Sequence, residues 1–416
     1  GHYLFIRSYL SNLQFVSYFC QTVASYQKVL RYNMKLPLIL LLFLPYRNAV
    51  SFPSSSASVP IPWTDFDISG SETISQAPAV VDPALIDVPS PPGPSPYPTL
   101  LRERNGWCPY SERAWLALEL SSVGRRADTL LIDNMGGRRP SWYSGSTPQL
   151  IKEDGRRMGE SMDIVRYISE SFFDGNDGLY PDGVVERTIS KFRDIFPKRT
   201  RPSSRSAFLF TSMGGPVSRA DFDRTLRDAD EMIAQNRSEK ERRAGSEAVG
   251  PFLAGTSRPT AADVAYVPFL ERYAAQLPLL HEGLDPRNAY PHLKSWYEAM
   301  DSVPSYISRV KGCDVSWGRV LGQVGFGNAG APPHILTNDR DESDPVDEKR
   351  WTAEYLVDEG AMKCWEVYAE GGGVATTPWG EAAARIVQNR IGLVKDMSKF
   401  MKIDEKISDE ALRVAA

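Results

Sequence analysis

The chain has 416 residues, 42% apolar and 24% charged, with a net charge of -4, so it holds material for more than one core and is not disordered by composition. That balance excludes nucleic acid as a partner, because a phosphate backbone calls for a basic face. Four dispersed cysteines (Cys20, Cys108, Cys313, Cys364) exclude a disulfide framework, and four dispersed histidines (His2, His281, His292, His334) leave no metal-ligand spacing, so no metal is expected.

Residues 1–33 begin with Gly1 and end before Met34-Lys35, and are read as upstream translation or a gene-model artefact. From Met34 a basic residue precedes an apolar run over 36–44, then small residues at Ala49 and Ser51 before Phe52, the three regions of a signal peptide. The run is too short to cross a bilayer as a helix. Phe52 at the junction and the serines that follow resemble the start of a bipartite plastid-targeting leader; a secretory signal and a cytoplasmic chain are the alternatives. Residues 53–98 are rich in Pro and Ser, so the expectation for 34–98 is a targeting leader and flexible linker.

Over 99–174 short strand-like runs alternate with amphipathic helices, the pattern of a small α/β unit. The first strand, around Leu100-Leu101, is unusually polar at Arg102, Glu103 and Arg104. Cys108-Pro109 starts a helix, since proline is favoured in the first turn. Strands follow at 129–132 and in a hairpin of 149–151 and 156–158, then a closing helix over 160–173. Strand signals stop beyond Pro181. Helical patterns at 184–196, 219–235, 261–277 and 293–300 make residues 184–312 an all-helical domain, with Thr260 and Asp263 at capping-box spacing. Residues 313–416 read as an acidic linker, 331–349, and a helical extension over 351–368 and 381–397. Trp351, Tyr355 and Trp365 are expected to pack it on the second domain, in preference to a separate partner-binding module.

A thiol at a helix start lies where unsatisfied N–H groups and the helix dipole favour its thiolate, and the thiolate is the nucleophile. Cys108 has that place. In Cys108-Pro109-Tyr110-Ser111 a serine stands where a second cysteine would resolve a mixed disulfide, so an external thiol must do so. Thr147-Pro148 before a strand is where a thioredoxin-type fold puts a cis-proline, whose preceding residue pairs with an extended peptide. Glu160-Ser161 opens the closing helix, where N–H groups and a hydroxyl hold a carboxylate and Glu160 receives an ammonium. Together these describe a socket for a γ-glutamyl tripeptide.

On these motifs the stretch from about 100 to 310 resembles a glutathione transferase. Its Cys108-Pro109-Tyr110-Ser111-Glu112-Arg113 start is most similar to the omega class. The resemblance implies a thioredoxin-like domain followed by an all-α domain; composition and helical pattern add a disordered leader before them and, after 310, a helical C-terminal extension with no counterpart in the family. It implies Cys108 as nucleophile and glutathione as co-substrate, held by Tyr110, Arg139, Thr147, Pro148, Glu160 and Ser161. Arg139 stands where the family carries a lysine, which keeps the charge and changes the hydrogen-bond geometry. The activity implied is thiol transfer, such as deglutathionylation or dehydroascorbate reduction, on a small electrophilic or disulfide substrate, in a homodimer. Conjugation of glutathione and a non-catalytic binding module stay open beside it. Chloride intracellular channel proteins share a similar start, but no long apolar stretch beyond the leader supports membrane insertion.

Overall fold

The computed structural model describes residues 80–83, 87–104, 106–134, 139–174, 178–197, 218–245, 249–281, 283–312, 317 and 359–415. The targeting region around Phe52, the loop 331–349, Trp351, Tyr355, Cys20 and Cys313 lie outside them.

Thr99–Glu103 (β2) is the central strand, with Asp128–Ile132 (β3) parallel on one side and Gln149–Ile151 (β4) antiparallel on the other. Arg157–Met158 (β5) pairs antiparallel with β4. A parallel pair needs a crossover, which the helix Pro109–Leu120 (α1) provides, and Ser161–Phe172 (α2) follows β5. Alternation along β2 sends Leu100 into the core shared with the helices and Leu101 to the opposite face, beside Leu130, Ile132 and Ile151. This is the thioredoxin-like arrangement expected from the sequence.

The sheet also has a strand that the sequence reading placed in the flexible linker. Val80–Val81 (β1) pairs parallel with β3 at the sheet edge, so the end of the 34–98 stretch belongs to the domain. Two valines are too few to show a period in a proline-rich stretch; a long-range ion pair fixes them. Asp82 Oδ2 lies 2.5 Å from Arg104 Nε, with both side chains buried. Further along, Trp142 Nε1 donates to Val88 O at 2.9 Å and Ser95 N to Glu153 O at 3.1 Å. The polar end of β2 is explained by the same logic. Arg102 lies over the Trp115 ring at 4.2 Å, and burial lowers its pKa to about 10 against the attraction of Glu103.

The second domain contains Gly183–Ser190 (α3), Phe192–Ile195 (α4), Arg219–Ala244 (α5), Ala261–Leu280 (α6), Pro291–Met300 (α7) and a π-helical turn, Tyr306–Val310. Helix α6 is apolar on nearly all sides and runs through its middle, where Phe192, Phe196 and Phe222 pack against its Tyr266, Phe269 and Tyr273 rings. The expected capping box is present: Thr260 Oγ1 accepts from Ala262 N, and Asp263 Oδ2 from Thr260 N at 2.7 Å. Pro278 does not end the helix at 277 as expected; α6 continues to Leu280. Pro268 removes one rung of the helical ladder, and close to that turn Arg113 Nε, from α1, donates to Ala265 O at 2.9 Å. Helix α5 extends past 235 because its polar second half favours helix and makes ion pairs, Arg187 and Arg243 with Glu239 and Lys240 with Asp182.

The extension comprises Glu359–Ala369 (α8), Pro378–Met401 (α9) and Glu405–Ala415 (α10), and it packs on both domains. Tyr368 donates to Glu119 Oε2 on α1 at 2.6 Å, and Arg125 Nη1 donates to Tyr368 O. Trp365 is buried as expected and donates to Ala375 O at 3.1 Å. Arg309, from the π-helical turn, lies 3.5 Å from both Glu119 and Glu381, so one buried cation ties the three parts together.

Candidate functional site

Cys108 is the residue immediately before α1, with extended backbone (φ -76°, ψ 111°), and Pro109 takes the first helical position. Its carbonyl accepts the first helical bond, from Glu112 N at 3.1 Å. The side chain is 1% exposed, yet its neighbour is polar: Sγ donates to Thr147 O at 3.7 Å. The thiol therefore rests against the main-chain acceptor of the residue before the cis peptide Thr147-Pro148.

Strand register assembles the remaining motifs. Leu101 faces Gln149 and Leu150 faces Met158, so two residues beyond the last pair Pro148 comes opposite Glu160, at the sheet end where β2 leads to Cys108. Glu160 precedes α2 with φ +60°, a left-handed value that costs a non-glycine residue energy and is held where the surroundings over-determine it. Glu160 is exposed, and Ser161 is buried at the first position of α2. Tyr110, half-buried, stands edge-on to Phe269 at 6.1 Å with Arg113 over its ring, so it joins α1 to the helical domain.

Arg139 turns inward on its own loop. It donates to Asn134 Oδ1, to Gly145 O at 3.1 Å and to Asp133 O at 3.4 Å. Asn134 Nδ2 in turn donates to Thr147 Oγ1 at 2.8 Å, so Arg139 braces Thr147 through an intermediary. Tyr143 donates to Ser146 O, and Gln149 Nε2 to Ser144 O and Ser146 O, fixing the same loop. Sequence reasoning missed Asn134, Tyr143 and Gln149. Burial pushes the Tyr143 phenol up to about 12, with a smaller push from nearby Cys108.

Behind the Cys108 loop lies a buried charge cluster that spacing alone does not reveal. Glu112 Oε2 and Arg272 Nη1 are 2.7 Å apart across the domain junction. Burial pushes the Glu112 carboxyl up to about 8, and the pull of Arg272 only partly offsets it. A raised folded value favours the native state below the ordinary carboxylate range, and that advantage fades as pH rises through about 8. Stability is therefore expected to fall between about pH 4.5 and 8 by at most one proton's worth, about 1.4 kcal/mol per pH unit. Glu112→Gln should flatten this slope in urea titrations; an equal slope in both proteins assigns the proton elsewhere.

Among the described residues no group of three or more His, Cys, Asp or Glu is placed to hold a metal, and no helix is long and apolar enough to cross a membrane. Residues 107–171 match the family model for the glutathione S-transferase N-terminal domain, and residues 185–299 that for its C-terminal domain. The chain is 27% identical over 208 residues to glutathione S-transferase L2, chloroplastic, of Arabidopsis thaliana, a match covering 48% of this chain and 62% of that protein. It is 24% identical over 214 residues to the probable glutathione transferase omega-2 of Caenorhabditis elegans, covering 49% and 77%. Among solved structures it is similar to the dehydroascorbate reductase of Chlamydomonas reinhardtii, at 17% identity and a TM-score of 0.35, covering 51% of this chain and 91% of that one.

Proposed function

From the premise that this chain carries both domains of the glutathione S-transferase family, we propose that it is a glutathione-dependent thiol transferase with Cys108 as its nucleophile. The observation that carries this reading is the Cys108 Sγ to Thr147 O contact, which puts a helix-start thiol against the backbone that would bind a peptide. Glutathione would pair with the Thr147 main chain before Pro148, with its γ-glutamyl end at Glu160 and Ser161. Tyr110 would line the side toward the helical domain, and Arg139 would act through Asn134. Because the resting thiol occupies the Thr147 carbonyl, entry of glutathione would displace it and free the sulfur to ionise.

The Cys108 thiolate would attack the glutathione sulfur of a mixed disulfide, breaking its S–S bond. A Cys108–glutathione disulfide forms and the partner leaves as its thiolate. Glutathione thiolate then attacks that disulfide, releasing oxidised glutathione and restoring the Cys108 thiolate. Serine at position 111 leaves no resolving thiol in the motif, which favours glutathione as the second reactant. Ser111 Oγ itself accepts from Glu103 N at 3.2 Å. Conjugation, which would need a hydroxyl such as that of Ser111 or Tyr110 to activate glutathione, ranks below thiol transfer because a cysteine at the helix start would form a disulfide with the bound thiol. The test is peptide mapping after incubation with oxidised glutathione: an adduct of one glutathione on Cys108 is expected, and an unmodified Cys108 overturns the proposal.

We place the protein in plastids on the leader pattern at 34–52, with the chloroplastic relative as support. A fluorescent fusion of residues 34–98 retained outside plastids would reject this.

A further inference from the structure

The backbone of Trp107, the residue just before Cys108, is held from two sides by opposite charges. Glu103 Oε2, at the end of β2, accepts from Trp107 N at 2.7 Å. Arg272, from α6 in the other domain, donates from Nη2 to Trp107 O at 3.3 Å and to Gly106 O at 3.5 Å. Arg272 is fully buried; its Nη1 serves Glu112 Oε2 and Pro268 O.

What holds Arg272 comes from the chain that leaves the helical domain. The Trp317 ring lies 4.1 Å from the guanidinium carbon, and its Nε1 donates to Glu271 Oε1 at 2.7 Å. Gln276 Nε2 donates to Trp317 O at 3.1 Å, Gly312 N to Glu271 Oε1 at 3.0 Å, and Tyr306 to Glu271 Oε2 at 2.6 Å. A side chain at Gly312 would collide with both the Trp317 indole and Glu271 Oε1, so close approach of the chain requires glycine there. The titratable and charged groups around the loop are thus Glu103 from β2, Glu112 from α1, Glu271 and Arg272 from α6, Tyr306, and Tyr143 from the loop before Thr147.

We propose that Arg272, roofed by Trp317, is a positioning residue for Cys108: it clamps the Trp107 carbonyl against Glu103, and the exit segment of the helical domain thereby sets the geometry and charge at the sulfur. The inference rests on Cys108 being the reactive thiol. Removing the cation leaves Glu103 as the charge held on the Trp107 peptide, and a change of nearby charge alters a thiolate fraction by on the order of tenfold.

The test is iodoacetamide alkylation of the full chain against pH, with Cys108 and Cys364 read separately by peptide mapping. For Arg272→Met the rise of the Cys108 rate with pH should move to higher pH, about tenfold slower at pH 7. Arg272→Lys should recover most of it, and Cys364 should not change. Trp317→Leu, which buries no unpaired charge, should move the profile the same way by about threefold and keeps the test alive if Arg272→Met does not fold. A mere loosening of the loop would speed Cys108 at every pH without moving the profile, and that result, or an unchanged profile in Arg272→Met or in Trp317→Leu, overturns the proposal. Failure of thiol transfer itself reads differently, as no glutathione adduct on Cys108 in the unmutated chain.

Discussion

Replacing Cys108 with serine is expected to abolish the glutathione adduct and to lower kcat for reduction of a glutathionylated disulfide by on the order of a thousandfold. Among the described residues Cys108 carries the only thiol at this sheet end, and a hydroxyl in its place does not ionise near neutral pH. The substitution is nearly isosteric and keeps a donor for Thr147 O, so the fold should survive and the loss should appear in kcat with little change in melting temperature. A variant that retained activity would remove Cys108 from the chemistry and revive conjugation as the alternative.

The second large effect is on stability. Glu381→Ala is expected to cost about 3–5 kcal/mol, because it removes a buried carboxylate that two buried guanidinium groups share. Glu381 Oε1 takes Arg385 at 2.9 Å and Arg309 at 3.5 Å, and Oε2 accepts from Ala375 N at 3.1 Å. Burial pushes the Glu381 carboxyl up, but Arg385, Arg309 and the Ala375 N–H together hold it below its usual range. Stability from this group is therefore present above the ordinary carboxylate value of 4.5 and lost as pH falls through the lower folded value. Urea denaturation checks the magnitude, and limited proteolysis should release α8 to α10 before the two domains are cut. A change under about 0.5 kcal/mol, the range of ordinary surface substitutions, would mean that the cluster does not hold the extension.

Local chemistry was legible in the residues and long-range chemistry was not. Cys108-Pro109, Thr147-Pro148 and Thr260 with Asp263 each announce themselves within four positions, and the structure has a helix start, a cis peptide and a capping box there. The Arg272 to Glu112 pair joins residues 160 apart, and nothing near either signals the other. The polar run Arg102-Glu103-Arg104 looked unsuited to a central strand because its partners, Trp115, Trp107 and Asp82, are supplied only by folding. Arg139 illustrates the limit of carrying a family position over: its guanidinium reaches three acceptors of its own loop at once, a geometry unavailable to lysine.

The edge strand Val80–Val81 bears on maturation. A peptidase acting near Phe52 would leave the pairing of Val80–Val81 with β3 intact. One that trimmed past Asp82 would strand Arg104 as a lone cation in the interior and bare the backbone of β3 to other chains. The permissible amino terminus of the folded protein is thus bounded from within, by a single carboxylate.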